Sequence, residues 1–262
     1  MADRPHILPQ QVVDDALTMS DAGVLDRVNA ERHGVTVATI RRWRRDYQRR
    51  GKPRGQAHTS VPCPRCDAAP LDIEAYAELL GWYLGDGSIT PSRRGVFSLH
   101  LYNDLRYPVL NDRLKMLMRR VKPGARPHMR QFSGCLITTV GWKHWPCLFP
   151  QHGPGRKHER AIVLEPWQLA IVDAHPGALL RGLFHSDGCR VTNWTVRPRK
   201  DGPKRYEYPR YLFSNESADI IGLCTATLDT VGLRWTAPRH NMVSVARHDD
   251  VARLDQIVGP KS

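Results

Sequence analysis

No stretch of this 262-residue sequence reaches the roughly 18 consecutive apolar residues that a membrane helix needs. The first residues also lack the apolar segment of a secretory signal peptide. These absences argue against helical membrane spans and predict a soluble, cytoplasmic protein that binds no membrane, associated with the nucleoid if its source is bacterial. Cysteine is scarce as well. Because a secretion signal is lacking, the six cysteines are expected to be reduced thiols or metal ligands.

Acidic residues are few relative to basic ones. The chain has 26 Asp and Glu and 39 Lys and Arg, which gives a formal net charge of +13. Such an excess attracts polyanions. The sequence lacks a basic amphipathic helix with a broad apolar face, so nucleic acid is favoured over a membrane surface. The alternative is a basic surface that serves solubility. Apolar residues at 41% and charged residues at 25% are near globular averages, and the length suits one large domain or two ordinary ones.

The densest basic segment lies near the N-terminus, where ten Lys or Arg face two acids within 28 residues. Apolar residues there follow helical spacing, first at Val24, Leu25 and Val28 and then, after a Gly-containing turn, in a second helix capped by Thr36. We therefore predict that residues 1–50 form a small all-α helix-turn-helix module. The alternative is a solvated basic helix within a linker. The side chains expected to face DNA are Thr39, Arg41, Arg42, Arg44 and Arg45.

Residues 51–70 lack periodicity and are predicted to be a linker. Near its end, Cys63 and Cys66 have the Cys-x-x-Cys spacing of one zinc knuckle. Because the sequence has no second Cys-x-x-Cys, the other ligands of a Zn²⁺ site stay open. Candidates for them are His58, Cys135 and Cys147. The alternative is a tight turn with two free thiols.

The rest of the chain repeats itself. An apolar helix over residues 74–84 is followed by Gly-Asp-Gly, and a second over residues 177–185 is followed by Ser-Asp-Gly, with the two aspartates 101 residues apart. After each helix the periodicity predicts strands, a further helix and more strands, so each unit has the order α-β-β-α-β-β. We expect repeat one at residues 71–150, a linker at residues 151–175 and repeat two at residues 176–259.

Asp86 and Asp187 stand at the C-terminal ends of these helices, where the helix macrodipole disfavours a carboxylate. Gly81 and Gly182, at matching positions, each cost roughly 1 kcal/mol in a helix, which close backbone packing of the two helices would explain. The carboxylates would then meet, and a divalent cation would relieve their repulsion. We predict that they hold Mg²⁺ or Mn²⁺ for phosphodiester hydrolysis. The alternative for a single Asp-Gly is an ordinary turn.

Through the motifs LLGWYLGDG (79–87) and LRGLFHSDG (180–188) and the twice-written element order, residues 71–259 resemble the LAGLIDADG family of homing endonucleases. The resemblance implies an α+β fold in which two α-β-β-α-β-β repeats form a pseudo-two-fold saddle over double-stranded DNA, as a monomer. It also implies that Asp86 and Asp187 bind divalent metal and direct double-strand cleavage. Related proteins with an attached helix-turn-helix regulate transcription without cleavage, and RNA binding or splicing assistance is a third alternative.

Strand residues in such a saddle alternate between the packed helices and the DNA. Residues 96–103 are predicted to place Ser98, His100 and Tyr102 on the DNA side, with plain solvated surface as the alternative. Repeat two is 11 residues longer than repeat one between its aspartate and its closing asparagine, which predicts a long basic hairpin loop at residues 197–207. The cations expected to follow the phosphate backbone are Arg197, Arg199, Lys200, Lys204 and Arg205.

The segment between the repeats contributes two further cations, Arg156 and Lys157. Lys157 is a candidate to approach the scissile phosphate, and a flexible solvated linker is the alternative. Together these features predict a sequence-specific DNA-binding protein that acts as a metal-dependent, site-specific endonuclease. The alternative function is a transcription regulator that uses the same fold for recognition only.

Overall fold

The computed structural model describes residues 8–50, 61–200 and 202–261. The chain divides into two compact units, Met1–Pro62 and Cys63–Ser262. Among the described residues, no helix is both long enough and apolar enough to cross a membrane.

Three helices make up the described part of the first unit: α1 (Gln10–Asp21), α2 (Asp26–Arg32) and α3 (Val37–Arg50). Thr36 caps α3, as predicted, because its Oγ1 accepts a hydrogen bond from the backbone N–H of Thr39 at 3.2 Å. Helix α1 was not predicted, and it supplies half of the apolar core. That core consists of Val13, Ala16, Leu17, Ala30, Ile40 and Trp43.

Helix α2 buries a polar residue and leaves two apolar residues exposed. Leu25 is 72% exposed and Val28 is 45% exposed, whereas Asn29 and Ala30 are buried. Asn29 is tolerated in the interior because its Nδ2 donates a hydrogen bond to the backbone oxygen of Ala16 at 2.7 Å, so its amide is not left unpaired. A polar side chain therefore joins α2 to α1.

The second unit contains two four-stranded antiparallel sheets with matching strand orders, β1-β2-β4-β3 and β5-β6-β8-β7. The first copy consists of α4 (Ile73–Leu84), β1 (Gly87–Pro91), β2 (Phe97–Asp104), α5 (Pro108–Val121), β3 (His128–Phe132) and β4 (Cys135–Trp142). Between the copies lie α6 (Trp145–Leu148) and α7 (Pro166–Ala174). The second copy consists of α8 (Pro176–Asp187), β5 (Gly188–Arg197), β6 (Lys204–Ser214), α9 (Ala218–Thr230), β7 (Thr236–Arg239) and β8 (Met242–Val245), followed by α10 (His248–Val258). The predicted α+β class and α-β-β-α-β-β order are confirmed.

Part of the segment predicted to be a linker between the repeats is ordered structure. It contains α7 and a single 3₁₀ turn at Lys157–Glu159. Helix α7 begins with proline at its first position and with a capping box, in which Gln168 Oε1 accepts a hydrogen bond from the backbone N–H of Glu165 at 3.0 Å. These local signals start a helix within the predicted linker.

The loop of the hairpin in repeat two is shorter than the predicted residues 197–207, because Arg197 and residues 204–207 belong to strands. Strands β5 and β6 pair continuously from Gly188 opposite Phe213 to Arg197 opposite Lys204. Only residues 198–203 connect them. Strand β5 contains four Val or Thr residues and β6 contains three Tyr residues, and their preference for extended backbone lets the extra residues lengthen the two strands.

Helices α4 and α8 pack backbone to backbone, as the paired glycines predict. A Cβ atom built on Gly81 would lie 2.9 Å from the Cα of Gly182, and one built on Gly182 would lie 2.9 Å from the Cα of Gly81. Real Cβ atoms do not approach backbone so closely, so only glycine permits this contact. Ten of the twelve residues of α4 are buried.

A buried carboxylate also joins the two repeats. Glu78 of α4 is 2% exposed, and both of its oxygens accept hydrogen bonds from the guanidinium of Arg113 in α5. Arg181 of α8 lies 3.3 Å from the same carboxylate and donates a second hydrogen bond to the backbone oxygen of Ile257 at 2.9 Å. Because two guanidiniums pair with it, the interior charge of Glu78 is compensated. Removing either repeat would leave part of this cluster unpaired.

Candidate functional site

The two predicted carboxylates lie at the contact between the repeats. Asp187 is the last residue of α8, and Asp86 is two residues beyond the end of α4. The helix ends touch, because a Cβ atom built on Gly85 would lie 2.6 Å from the Cβ of Ser186 and 3.1 Å from Oδ2 of Asp187. The structure therefore brings Asp86 and Asp187 to one place, although they are far apart in sequence.

Burial raises the pKa of both carboxyl groups. The pKa of Asp187 rises to about 6, first through burial and then through the negative charge of Asp86, while a 2.6 Å hydrogen bond from Asn215 Nδ2 acts in the opposite direction. Burial also raises the pKa of Asp86, against the attraction of Lys157 and Lys261. Asp86 nevertheless reaches the surface and Asp187 is only partly covered. A ligand can reach both, and each ionised carboxylate favours a positive charge beside it.

A lysine ammonium binds the end of each helix. Lys157 Nζ donates hydrogen bonds to the backbone oxygens of Tyr83 at 2.7 Å and Gly87 at 3.0 Å, and to that of Gly85. Lys261 Nζ takes the equivalent place in repeat two and donates to the backbone oxygens flanking Asp187. Its acceptors are Gly188 at 2.9 Å and Ser186 at 3.3 Å. These cations offset the partial negative charge that a helix carries at its C-terminus.

Burial and the nearby carboxylates shift the pKa of both lysines in opposite directions. Burial lowers the pKa of Lys157 to about 8, although Asp187 and Asp86 act to raise it. Burial lowers the pKa of Lys261 in the same way, against Asp86 and other acidic groups. Most Lys157 side chains are still protonated at pH 7, so the site combines two carboxylates with two ammonium groups.

Sequence reasoning named Lys157 but missed Lys261. A signal was present, since each lysine is the third residue of a Gly-x-Lys triplet, at residues 155–157 and 259–261. Gly155 and Gly259 share a left-handed backbone, with φ values of +76° and +75°. A search for repeated features beyond the helix motifs would have paired these triplets.

His185, two residues before Asp187, belongs to the core and not to the carboxylate site. It is 3% exposed and packs against Trp82 with ring centroids 6.1 Å apart. Burial, followed by the positive charge of Arg113, lowers its pKa to about 4. Its imidazole is therefore neutral at pH 7 and fills space between the helices.

A cleft of about 540 Å³ opens beside the carboxylates, and its wall includes Asp187, Asn215, Arg156 and Lys157. Asn215 holds Asp187, whereas no described side chain donates a hydrogen bond to the carboxylate of Asp86. Oxygen ligands of this kind suit hard cations, and Mg²⁺ is usually held by one or two carboxylates together with water. The residues present fit Mg²⁺ or Mn²⁺.

Strand β2 places its predicted polar residues on one face of the first sheet. Leu99 and Leu101 are fully buried on the helix side, and the alternating positions Ser98, His100 and Tyr102 lie on the other side. Tyr102 is exposed, while Ser98 and His100 are partly covered by neighbours. This surface carries hydroxyl and imidazole groups.

Hydrogen bonds hold the groups on this first-sheet face. His100 Nε2 lies 2.9 Å from Thr90 Oγ1, and its Nδ1 lies 2.9 Å from Thr139 Oγ1. Burial and the nearby charge of Arg130 lower the pKa of His100, so the imidazole is neutral at pH 7. The face therefore presents neutral hydrogen-bonding groups in fixed positions.

The five predicted cations of the β5–β6 hairpin are all exposed. Arg197 and Lys204 are opposite each other at the end of the paired strands, and Arg199 and Lys200 lie in the connection. Arg199 and Lys204 are each 5.7 Å from the ring centre of Tyr206, so they share one side of the hairpin.

Arg205 faces the other side of the hairpin. It lies 4.9 Å from the ring centre of Trp194 and forms an ion pair with Glu207 at 2.7 Å. Because strand neighbours alternate, Arg205 and Lys204 cannot follow the same face. Arg199 and Lys204 therefore lie on one side of the hairpin and Arg205 on the other.

In the first unit, two of the predicted DNA contacts are bound within the protein. Arg41 and Arg44 each form an ion pair with Asp26 of α2 at 3.0 Å. An open hollow of about 560 Å³ lies at the start of α3, and its lining includes Thr39, Arg41, Arg42 and Arg45. The basic residues at this end of the helix are therefore grouped, and Asp26 orients part of the group.

The predicted zinc pair meets two further ligand-bearing residues. Cys63, Cys66, His144 and Cys147 lie so that one ligand atom from each is within 4.8 Å of all the others. Cys147 was one of the predicted candidates and Cys135 is not in the group, while His58 lies outside the described residues. Cys63 and Cys66 stand at the beginning of the second unit, within residues that were predicted to be a linker, whereas His144 and Cys147 lie near the end of repeat one.

No protein-family model matches the chain, and no curated protein matches it. Matching solved structures include I-DmoI in complex with DNA and manganese, at 13% identity, covering 72% of this chain and 98% of that one with a TM-score of 0.46. I-SmaMI, a LAGLIDADG homing endonuclease bound to cleaved DNA, matches at 10% identity over 73% of this chain and 84% of its own, with a TM-score of 0.46. The N-terminal LAGLIDADG domain of WhiA matches at 15% identity over 72% and 83%, with a TM-score of 0.44. At such identities and TM-scores the likeness says nothing of this chain's activity.

Proposed function

We propose that this chain is a sequence-specific DNA-binding protein that cuts double-stranded DNA with a divalent cation held by Asp86 and Asp187. The observation that carries the proposal is the meeting of these carboxylates at the α4–α8 contact, with a lysine ammonium at each helix end. When bound, Mg²⁺ or Mn²⁺ would supply an activated water and stabilise the leaving oxygen. One chain provides both halves of the site, which supports action as a monomer.

The chain's own residues would hold the cation and the phosphates. Asp86 and Asp187 provide the oxygen ligands, and Asn215 keeps Asp187 in one orientation through its 2.6 Å hydrogen bond. Lys157 and Lys261 place positive charge beside the carboxylates, which favours the approach of a phosphodiester. This arrangement supports hydrolysis of a polyanion better than any reaction of a neutral substrate.

DNA as the substrate is supported by the net charge of +13 and by the two exposed sheet faces. Cations at the end of the β5–β6 hairpin, such as Arg199 and Lys204, suit phosphate contacts, which give affinity without sequence information. The neutral hydrogen-bonding groups around His100 suit contacts to base edges, which give specificity. The two faces thus supply complementary parts of recognition.

The test is cleavage of a plasmid library of candidate sites by the purified protein with Mg²⁺ or Mn²⁺. Asp86→Asn and Asp187→Asn should each abolish cleavage, while binding survives or tightens, because a negative charge beside the phosphates is removed. Asp112→Asn is the matched control, since this exposed carboxylate lies on α5 and the variant has the same net charge. Cleavage that persists in both site variants, or that needs no divalent cation, would contradict the proposal.

Transcription regulation is the second candidate, and the separate three-helix basic unit favours it. A regulator needs the sheets for recognition but needs no cation between the carboxylates. Sequence-specific binding without a metal-dependent cut, equal in the parent and in both asparagine variants, would assign the chain to this class. Removing residues 1–62 should then abolish regulation while the second unit still binds DNA.

A further inference from the structure

We propose that Cys63, Cys66, His144 and Cys147 form a structural Zn²⁺ site that joins the beginning of repeat one to its end. Each of the four residues offers one ligand atom, and these atoms all lie within 4.8 Å of one another. Among the described residues, no other group of three or more His, Cys, Asp or Glu comes together in this way. The proposal concerns a site remote from the reaction, and it stands whether or not the chain cuts DNA.

The distances match tetrahedral zinc. Cys66 Sγ is 3.6 Å from Cys147 Sγ, and Cys147 Sγ is 3.7 Å from His144 Nδ1. Two sulfurs bound to one Zn²⁺ at about 2.3 Å each, in a tetrahedron, are about 3.8 Å apart. A disulfide needs about 2.05 Å between its sulfurs, and all six cysteines are free.

Two short turns present the ligands in pairs. In the Cys-Pro-Arg-Cys turn, Asp67 Oδ2 accepts a hydrogen bond from the backbone N–H of Cys63 at 2.7 Å, and the backbone N–H of Asp67 donates to the backbone oxygen of Cys63 at 2.8 Å. These bonds close the turn, so that Cys63 and Cys66 are presented from one short segment.

The second pair comes from the start of α6. In His-Trp-Pro-Cys, the backbone N–H of Cys147 donates to the backbone oxygen of His144 at 3.1 Å, so residues three apart lie on one side of a single helical turn. The spacing equals that of the first pair. The complete pattern is Cys-x-x-Cys followed by His-x-x-Cys, with 77 residues between the two pairs.

The ligand set specifies the metal and its role. Three thiolates and one imidazole are soft ligands that suit Zn²⁺ and exclude the hard cation proposed for Asp86 and Asp187. Four protein ligands fill the tetrahedron and leave no position for a substrate, and Cys63 is completely buried. The site is therefore structural, and it ties the segment that enters α4 to the segment that leaves β4.

The first measurement is the metal content of the full chain, purified under reducing conditions without chelator. We expect one Zn²⁺ per chain, which a thiol-specific mercurial releases to a chromogenic chelator. Cys147→Ser and His144→Ala should lower the content at least fivefold. Cys135→Ser is the matched control, since this cysteine is similarly half-covered but outside the cluster, and it should keep one Zn²⁺. Equal content in all these proteins, or none in the parent, overturns the proposal.

A second measurement uses the parent chain, so it tests the proposal even if the cysteine and histidine variants fail to fold. The parent chain is reloaded with Co²⁺, which gives intense visible bands and thiolate charge-transfer bands when its site is tetrahedral and sulfur-rich. The double variant Asp86→Asn, Asp187→Asn should give the same spectrum, because the carboxylates lie elsewhere. A weak octahedral spectrum, or a mass showing that Cys66 and Cys147 have lost two hydrogens as a disulfide, contradicts the zinc site.

Discussion

The two repeats of the second unit share their frame and differ in their exposed faces. In both, a glycine-containing helix ends beside an aspartate, a Gly-x-Lys triplet returns to that helix end, and the strand order is the same. The first hairpin differs, because β1 and β2 have five and eight residues, whereas β5 and β6 have ten and eleven. Repeat one presents neutral hydroxyl and imidazole groups, and repeat two presents cations stacked on aromatic rings.

This difference separates what positions the site from what meets a ligand. The features that occur twice are those that bring Asp86 and Asp187 together, so they are constrained by geometry. The sheet faces carry no such constraint and are free to diverge. A DNA target bound to both faces would meet unlike surfaces in its two halves, which favours a sequence without two-fold symmetry.

The largest expected effect comes from disrupting the backbone contact between α4 and α8, which both repeats share. Gly81→Ala and Gly182→Ala each place a Cβ atom 2.9 Å from the facing helix backbone, which cannot move aside without parting the helices. We expect each to lower the free energy of unfolding by about 3 kcal/mol or more, at the upper end of overpacking costs. Urea unfolding followed by circular dichroism measures this.

Gly222→Ala is the control for this helix-glycine experiment. Gly222 lies within α9, and a Cβ atom there would meet nothing within 4 Å. The substitution should stabilise the protein by up to about 1 kcal/mol, because alanine is the better helix former. If Gly81→Ala behaved like Gly222→Ala, the backbone contact between the repeats would not be what holds them together.

The next effect separates the two sheet faces by their response to salt. Replacing Arg197, Arg199, Lys200 and Lys204 with glutamine should flatten the slope of log K against log salt by up to about 0.9 for each phosphate that these cations neutralise in the parent. His100→Gln in repeat one should leave that slope unchanged and alter the preferred sequence instead, since the imidazole is neutral. Fluorescence anisotropy on a random duplex and selection from a library measure the two responses. Equal slopes for both variants would mean that the faces do not divide these tasks.

A smaller effect compares the two lysines. Lys157 donates to three backbone oxygens and Lys261 to two. Lys157→Met should lower the free energy of unfolding by about 1–3 kcal/mol, since it leaves partly buried carbonyls unpaired, and Lys261→Met should cost less. Lys200→Met, at the exposed hairpin connection, is the control and should change stability little. A larger loss at Lys261 would reverse the ranking that the hydrogen bonds predict.

The smallest effect is the pH dependence of the carboxylates in metal-free protein. The pKa of Asp187 is about 6 when folded, against about 4 when unfolded, so the folded state holds the extra proton between these values. Stability from this group is present below pH 4 and is lost as the pH rises to 6. Asp187→Asn should therefore gain thermal stability relative to the parent across this window and keep the gain above it. Asp86→Asn should follow the same direction, and melting curves in chelator at pH 4 to 8 test both.

The repeated parts of the fold were predictable because two copies reinforce each other. Asp86 and Asp187, with their glycines, stood out only as a pair, and the element order was confirmed in both repeats. The positions of Lys157 and Lys261 could not be predicted in the same way, because they depend on loops that return to the helix ends from 70 or more residues away. Spacing within one segment carries no such information.

The remaining errors have local causes. Of the second ligand pair, Cys147 was among the predicted candidates and His144 was not, although His-x-x-Cys offers the same geometry as Cys-x-x-Cys. The burial of Asn29 in α2 was not predicted, because the backbone oxygen of Ala16 that accepts its hydrogen bond lies 13 residues earlier in the chain. Both cases turn on polar groups whose partners are distant in sequence.

Because α4 packs against α8, it stays partly uncovered during synthesis until α8 has been made. Helix α4 is buried along nearly its whole length, yet its partner is made about 90 residues later. At about 5–20 residues per second, this apolar helix leaves the ribosome roughly 5 to 20 s before α8 can cover it. The first repeat must protect α4 during that interval with α5 and its own sheet, so the order of synthesis makes repeat one the half that has to hold together alone.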